Sequence, residues 1–188
     1  MSAGQLMGSV QAERDGMHIT VTVAFSSADA ATGWQAAAEA VAVVACLLHW
    51  ADRVALTQRR ALLEHALQLT DSAGLGPAHH LRLLGLRLAL DTAVDCGDFG
   101  AAAQAGGDLA AASRRSGVPP VWPPLGVQLA VAAKCAVAAD LPKLCRQLGQ
   151  QAIGTLAVSH RGTDVLAEAQ RCVAESELAL AAAASRMY

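Results

Sequence analysis

Ser159-His160 and, shortly after, Asp164 supply the three side-chain types of an acyl-transfer triad: a hydroxyl, a base and an acid that orients it. All three fall on one predicted turn, and the plainer reading is a run of polar turn residues. His79-His80 is the most metal-like pair in the chain. Adjacent helical residues point about 100° apart, whereas side chains at i, i+4 share a face. The pair therefore reads as polar residues at a helix start, and His49 and His65 as lone histidines on amphipathic helices. Cys135 and Cys145 flank a predicted turn at Asp140 and would approach each other if the flanking segments pair. With no histidine or second cysteine pair beside them, they read as core thiols rather than a redox centre.

Recognition chemistry has more to draw on. Arg82, Arg87, Arg114, Arg115, Lys134, Lys143 and Arg146 give the central segments positive charge. Such groups capture carboxylates through paired hydrogen bonds, which points to an acidic peptide or protein partner. The alternative is a solvated face balanced by Asp91, Asp95, Asp98, Asp108 and Asp140. Trp122 stands among four prolines, either as an aromatic binding anchor or, by preference, as a staple holding its loop to the helices. The residues selected for partner binding are Arg82, Arg114, Arg115, Trp122, Lys134 and Lys143. No catalytic, cofactor or metal residue is selected. The chain has no asparagine and only two lysines, so a paired Asn and Lys clamp for a terminal carboxylate is not expected.

The elements that must position these residues are helical. Alanine and leucine dominate, aromatics make up 3% and charged residues 16% of the 188 residues, a composition that favours closely packed helices. The expected fold is all-α: stacked antiparallel helical hairpins, tetratricopeptide-like, with about seven helices and a short non-helical N-terminal segment. Helices are expected over about 34–49, 52–72, 79–96, 99–115, 124–139, 141–158 and 164–184. Gly74-Leu75-Gly76-Pro77, Gly97-Asp98, Asp140-Leu141-Pro142 and Gly162-Thr163-Asp164 punctuate them, with Asp98 as an N-cap and Pro142 in a first turn. Asp98-Phe99 and Asp140-Leu141 recur 42 positions apart, a weak repeat of which Asp52-Arg53-Val54 would be an earlier copy. Residues 1–33 form a separate appendage ahead of the helical domain of 34–188. In it, Ile19, Val21, Val23 and Phe25 alternate as in a single strand over 17–25, which would join a neighbouring chain or domain or stay mobile.

The totals exclude whole classes. A net charge of −2 and a pI of about 6.3 offer no basic field for nucleic acid. The mean hydropathy of +0.35 is high, but no segment approaches the roughly 20 apolar residues of a spanning helix. Five widely spaced cysteines suit reduced thiols in a cytoplasmic or nuclear setting.

From His49 to about Ala184 the chain resembles the C-terminal, tetratricopeptide-like domain of the SET and MYND domain (SMYD) lysine methyltransferases. The resemblance rests on His79-His80-Leu81-Arg82-Leu83 leading to Asp91-Thr92-Ala93-Val94-Asp95 and Gly97-Asp98-Phe99. It continues with the proline loop Val118 to Pro124 entering Leu125-Gly126-Val127-Gln128-Leu129, and with Ser159-His160-Arg161-Gly162-Thr163-Asp164. It departs at Trp122, where the family has histidine, and at Arg161, inserted into the last turn. The resemblance implies a protein-interaction or regulatory module without its own catalysis, whose groove contacts partners, among them a SET-domain catalytic part. The family's Asn-His cofactor motif, its zinc-binding MYND cysteines and the cysteines that follow the SET domain have no counterpart here. Gly74-Leu75-Gly76 lacks the rest of a cofactor site. Two rival readings are a fragment of a SET-domain lysine methyltransferase and a structural subunit of a larger assembly.

Overall fold

A computed structural model describes residues 6–14, 17–25, 28–51, 53–72, 74–117 and 122–186. Seven helices follow two strands: β1 (Leu6–Arg14), β2 (Met17–Phe25), α1 (Ala28–Ala51), α2 (Leu56–Ser72), α3 (His80–Asp95), α4 (Phe99–Arg115), α5 (Pro123–Ala138), α6 (Pro142–Ser159) and α7 (Asp164–Ser185). The described helices form the expected stack of antiparallel hairpins, each helix packing on its sequence neighbours and, from α3 to α7, on the next but one.

Two N-terminal expectations change. The strand over 17–25 is present but not alone: it pairs antiparallel with β1, Leu6 opposite Phe25 and Val10 opposite Val21. The first helix starts at Ala28 rather than near 34, with Gly33 inside it, so the non-helical appendage is shorter than 1–33.

The hairpin bends explain the repeat and correct its register. At the end of α3, Gly97 takes φ 71°, and the amides of Gly97 and Asp98 donate to the carbonyls of Val94 and Ala93 at 3.0 and 2.9 Å. This is the left-handed helix stop that glycine makes without steric cost. The end of α5 has the same bonds, Asp140 to Val137 at 3.0 Å and Leu141 to Ala136 at 2.9 Å, with Asp140 at φ 54°. Asp140 is therefore the counterpart of Gly97, not of Asp98. The structural period is 43: α3 and α5 open at 80 and 123, α4 and α6 at 99 and 142. Asp98 alone caps as expected, its Oδ1 accepting from the Ala101 amide at 3.1 Å. Leu141 has no capping side chain, and Pro142 begins α6 without needing a donor partner. Asp52, the expected third copy, lies outside the described residues.

The interior is built from leucine and alanine. The main core joins α3 to α7, with Leu90, Leu129, Leu148 and Leu156 fully enclosed between layers of alanine; a smaller cluster joins α1, α2 and Leu81 of α3. Alanine lets the axes come close, and at Gly106 even a methyl is excluded. A Cβ there would lie 2.2 Å from that of Ala132 on α5. Among the described residues no helix is long and apolar enough to cross a membrane.

Candidate functional site

The antiparallel order sends the candidate residues to different ends of the stack. Arg82 opens α3, Arg114 and Arg115 close α4, and Trp122 precedes α5, so these share one end. Lys134 and Lys143, late in α5 and early in α6, belong to the other.

Two of the cations are engaged inside the chain. Arg82 is half-buried; its Nη1 donates to Thr70 Oγ1 at 3.2 Å and pairs with the Asp71 carboxylate, tying the end of α2 to the start of α3. Lys134 is exposed but reaches Glu168 of α7 at 3.2 Å. Arg114 and Arg115 are exposed, in the last turn of α4, where the helix carbonyls favour positive charge. Trp122 is 44% exposed, so the indole is not part of the core. Its role as a staple concerns 118–121, which lie outside the described residues.

Lys143 sits differently. With Arg146, Gln147, Gln150 and Gln151 of α6 and Leu180 of α7 it lines an open groove of about 810 Å³. The spacing of three and four puts these α6 residues on one stripe of the helix. Neither Lys143 nor Arg146 has an ion-pair partner among the described residues, and Gln151 Oε1 is buried without a hydrogen-bond partner. Two unpaired cations followed by three side-chain amides thus form a continuous polar track along α6. Sequence reasoning selected Lys143, named Arg146 only among the basic residues, and passed over the glutamines. The signal that marks them is their helical spacing from Lys143.

The other chemical candidates resolve into structural parts. His79 is the N-cap of α3, its Nδ1 accepting from the Leu81 amide at 3.3 Å, with the His80 ring 4.5 Å away. Ser159 Oγ lies 2.9 Å from His160 Nδ1, on the surface; no carboxylate is bonded to that imidazole among the described residues, so the triad is not assembled. Among the described residues no three of His, Cys, Asp and Glu cluster as a metal site. Cys135 and Cys145 are both buried, and the Cys145 thiol donates to the Cys172 carbonyl of α7 at 3.2 Å. Burial pushes all three core thiols up, Cys172 to about 11 with Cys145 nearby adding to the effect. Such thiols stay protonated and unreactive.

No protein family, curated protein or solved structure matches the chain.

Proposed function

We propose that the chain is a protein-interaction module that holds an acidic, extended segment of a partner along α6, and that it performs no catalysis of its own. The observation that carries this reading is the alignment of Lys143 and Arg146, which have no ion-pair partner among the described residues, with Gln147, Gln150 and Gln151 along one stripe of α6. A guanidinium binds a carboxylate through two parallel hydrogen bonds, and lysine adds charge. The glutamine amides carry both donors and acceptors, matching the N–H and C=O groups of an extended peptide. Arg82 and Lys134 brace the fold in this reading and leave the partner to Lys143 and Arg146. The resemblance to the SMYD C-terminal domain supports an interaction role, and a cytoplasmic or nuclear setting is part of the same proposal.

The test is fluorescence anisotropy with a labelled Asp/Glu-rich peptide and a Gly/Ser peptide of equal length. The acidic peptide binds, its affinity falls as salt rises, and the double reversal Lys143→Glu with Arg146→Glu removes the preference. Equal binding of both peptides, or an affinity untouched by the reversal, refutes it. Incubation with S-adenosylmethionine and lysine-bearing substrates yields no methylated product; turnover would overturn the non-catalytic part.

A further inference from the structure

A helix at the edge of a stack buries one face and shows the other to water, so its outer side chains should be polar. The C-terminal edge helix, α7, follows the rule. Gln170, Arg171, Glu175 and Glu177 are exposed on it, and Leu178 is its one large apolar residue that is exposed. At the opposite edge α1 breaks the rule. From 40 to 51 it contains no Asp, Glu, Lys or Arg. Val44, Leu48 and Ala51 are buried in the smaller core cluster. Val43, Cys46 and Trp50, spaced by three and four, form a second apolar stripe on the outside. Val43 is 48% and Trp50 57% exposed, and Cys46 is exposed too. The N-terminal hairpin reaches α1 without covering this stripe. The Trp50 ring meets the His49 ring edge-on at 6.5 Å, a contact within its own helix that leaves most of the indole to solvent. A helix apolar on all sides belongs in an interior, and α1 has only half of one.

The stripe itself narrows what covers it. A partner recognised by charge needs a counter-charge, and this part of α1 has none to offer. Head-to-tail growth needs a complementary apolar face at the other edge, where α7 presents charged and amide groups instead. A two-fold pair needs a single face that is complementary to itself. The stripe meets that condition when two α1 helices run antiparallel about an axis at 46–47. Position 43 then lies opposite 50, so each small valine receives a bulky indole, and Cys46 comes beside its own counterpart. Such a contact continues the α1–α2 packing outward with the same residue types and places α1 between two helices, as α5 is placed between α4 and α6. We propose that a second copy of the chain covers this face, the two α1 helices pairing antiparallel with Trp50 of each over Val43 of the other. The helices overlap over about ten residues, a small contact for a dimer, so the pair should come apart on dilution.

Sedimentation velocity on the full chain, from about 1 μM to 1 mM, should show a monomer passing to a dimer as concentration rises. Trp50→Lys puts a charge into the contact and should weaken the pair by at least about thirtyfold, the loss typical of a central tryptophan. Val43→Glu, also at an exposed position, should act the same way, and circular dichroism confirms that both variants keep their helices. Mild oxidation should join two copies through Cys46, each thiol giving up a hydrogen atom to the added oxidant as the S–S bond forms. Cys46→Ser should remove that cross-link, and Cys96→Ser, at the other exposed thiol, should leave it. A chain that stays monomeric over the whole range overturns the inference, as it would if a different protein covered the stripe. So does a dimer that survives both Trp50→Lys and Val43→Glu, or one that cross-links through Cys96 instead. None of these results bears on peptide binding along α6.

Discussion

At position 79 a neutral imidazole does a task usually given to serine, threonine or aspartate, accepting the orphan Leu81 amide at the start of α3. Only the neutral ring can do this, because protonation turns Nδ1 into a donor. Burial and then the neighbouring charge of His80 lower the His79 pKa below 6.5. The unfolded chain therefore takes up the proton first as pH falls. The stabilisation is fully present above about 6.5 and is lost as pH drops through the lower folded value. Urea midpoints measured between about pH 7 and pH 5 should fall for the native chain. His79→Asn, an uncharged cap, should show a shallower decline, and an identical slope would mean that the cap carries no pH dependence. The sequence placed His79 at a helix start but could not show which nitrogen would meet which amide. The α6 track was partly legible for the same reason: charge marks Lys143 in a string of letters, whereas glutamine announces nothing until a helix lines it up with Arg146.

Helices show how far pattern reading goes. Predicted boundaries from α2 to α7 fall within a few residues of the observed ones, because Gly97, Pro142 and Asp164 impose their stops and starts by backbone sterics that need no tertiary partner. β1 was missed because its alternate positions, Leu6, Gly8, Val10 and Ala12, include two residues with little strand preference. The available signal was Asp15-Gly16, the two residues between the strands and a strong hairpin pair. The one-residue error in the repeat arose from matching Asp140 to Asp98 by identity, when its backbone angle makes it a stand-in for glycine. Close helix approach was likewise invisible in the letters, and it differs between two equivalent glycines, Gly106 and Gly149. A Cβ at Gly106 meets the Ala132 Cβ at 2.2 Å, an atom fixed to its backbone; one at Gly149 meets Val173 Cγ2 at 2.6 Å, which a rotamer change can move. Alanine gains about 1 kcal/mol of helix propensity at either site. Gly106→Ala should nonetheless cost roughly 3 kcal/mol or more, since α4 and α5 must separate, and Gly149→Ala roughly 1 kcal/mol or less. Chemical denaturation of the two variants checks the order, and equal losses would show that the α4–α5 contact is as yielding as the α6–α7 contact.

Across the whole molecule, stability should be graded rather than uniform. Stacked hairpins draw their cohesion from neighbours, so an element in the middle of a stack is held on both sides and one near its edge is held less. Here the core itself is divided: the larger cluster runs through α3 to α7, while Val44, Leu48, Ala51, Leu63, Ala66 and Leu81 form the smaller one. The seam between them passes Gly85, where a Cβ would meet Leu67 at 3.0 Å and Leu48 at 3.5 Å. A cavity of about 110 Å³, lined by Leu63 and Leu67 of α2 and Ala101 and Ala105 of α4, lies in the same region, so packing near the seam is incomplete. Hydrogen exchange should accordingly be slowest in α5 and α6, around Ala132, Ala133, Leu148 and Ala152, and faster in α1 and α2 by local opening that leaves the larger cluster intact. Leu63→Ala and Leu148→Ala discriminate between graded and all-or-none behaviour, each removing about 2–5 kcal/mol of packing from one cluster. The first should speed exchange in α1 and α2 while α5 and α6 keep their protection; the second should speed exchange in α5 and α6. If Leu63→Ala instead lowers protection equally in all seven helices, the stack opens as one unit and the division of the core has no energetic meaning.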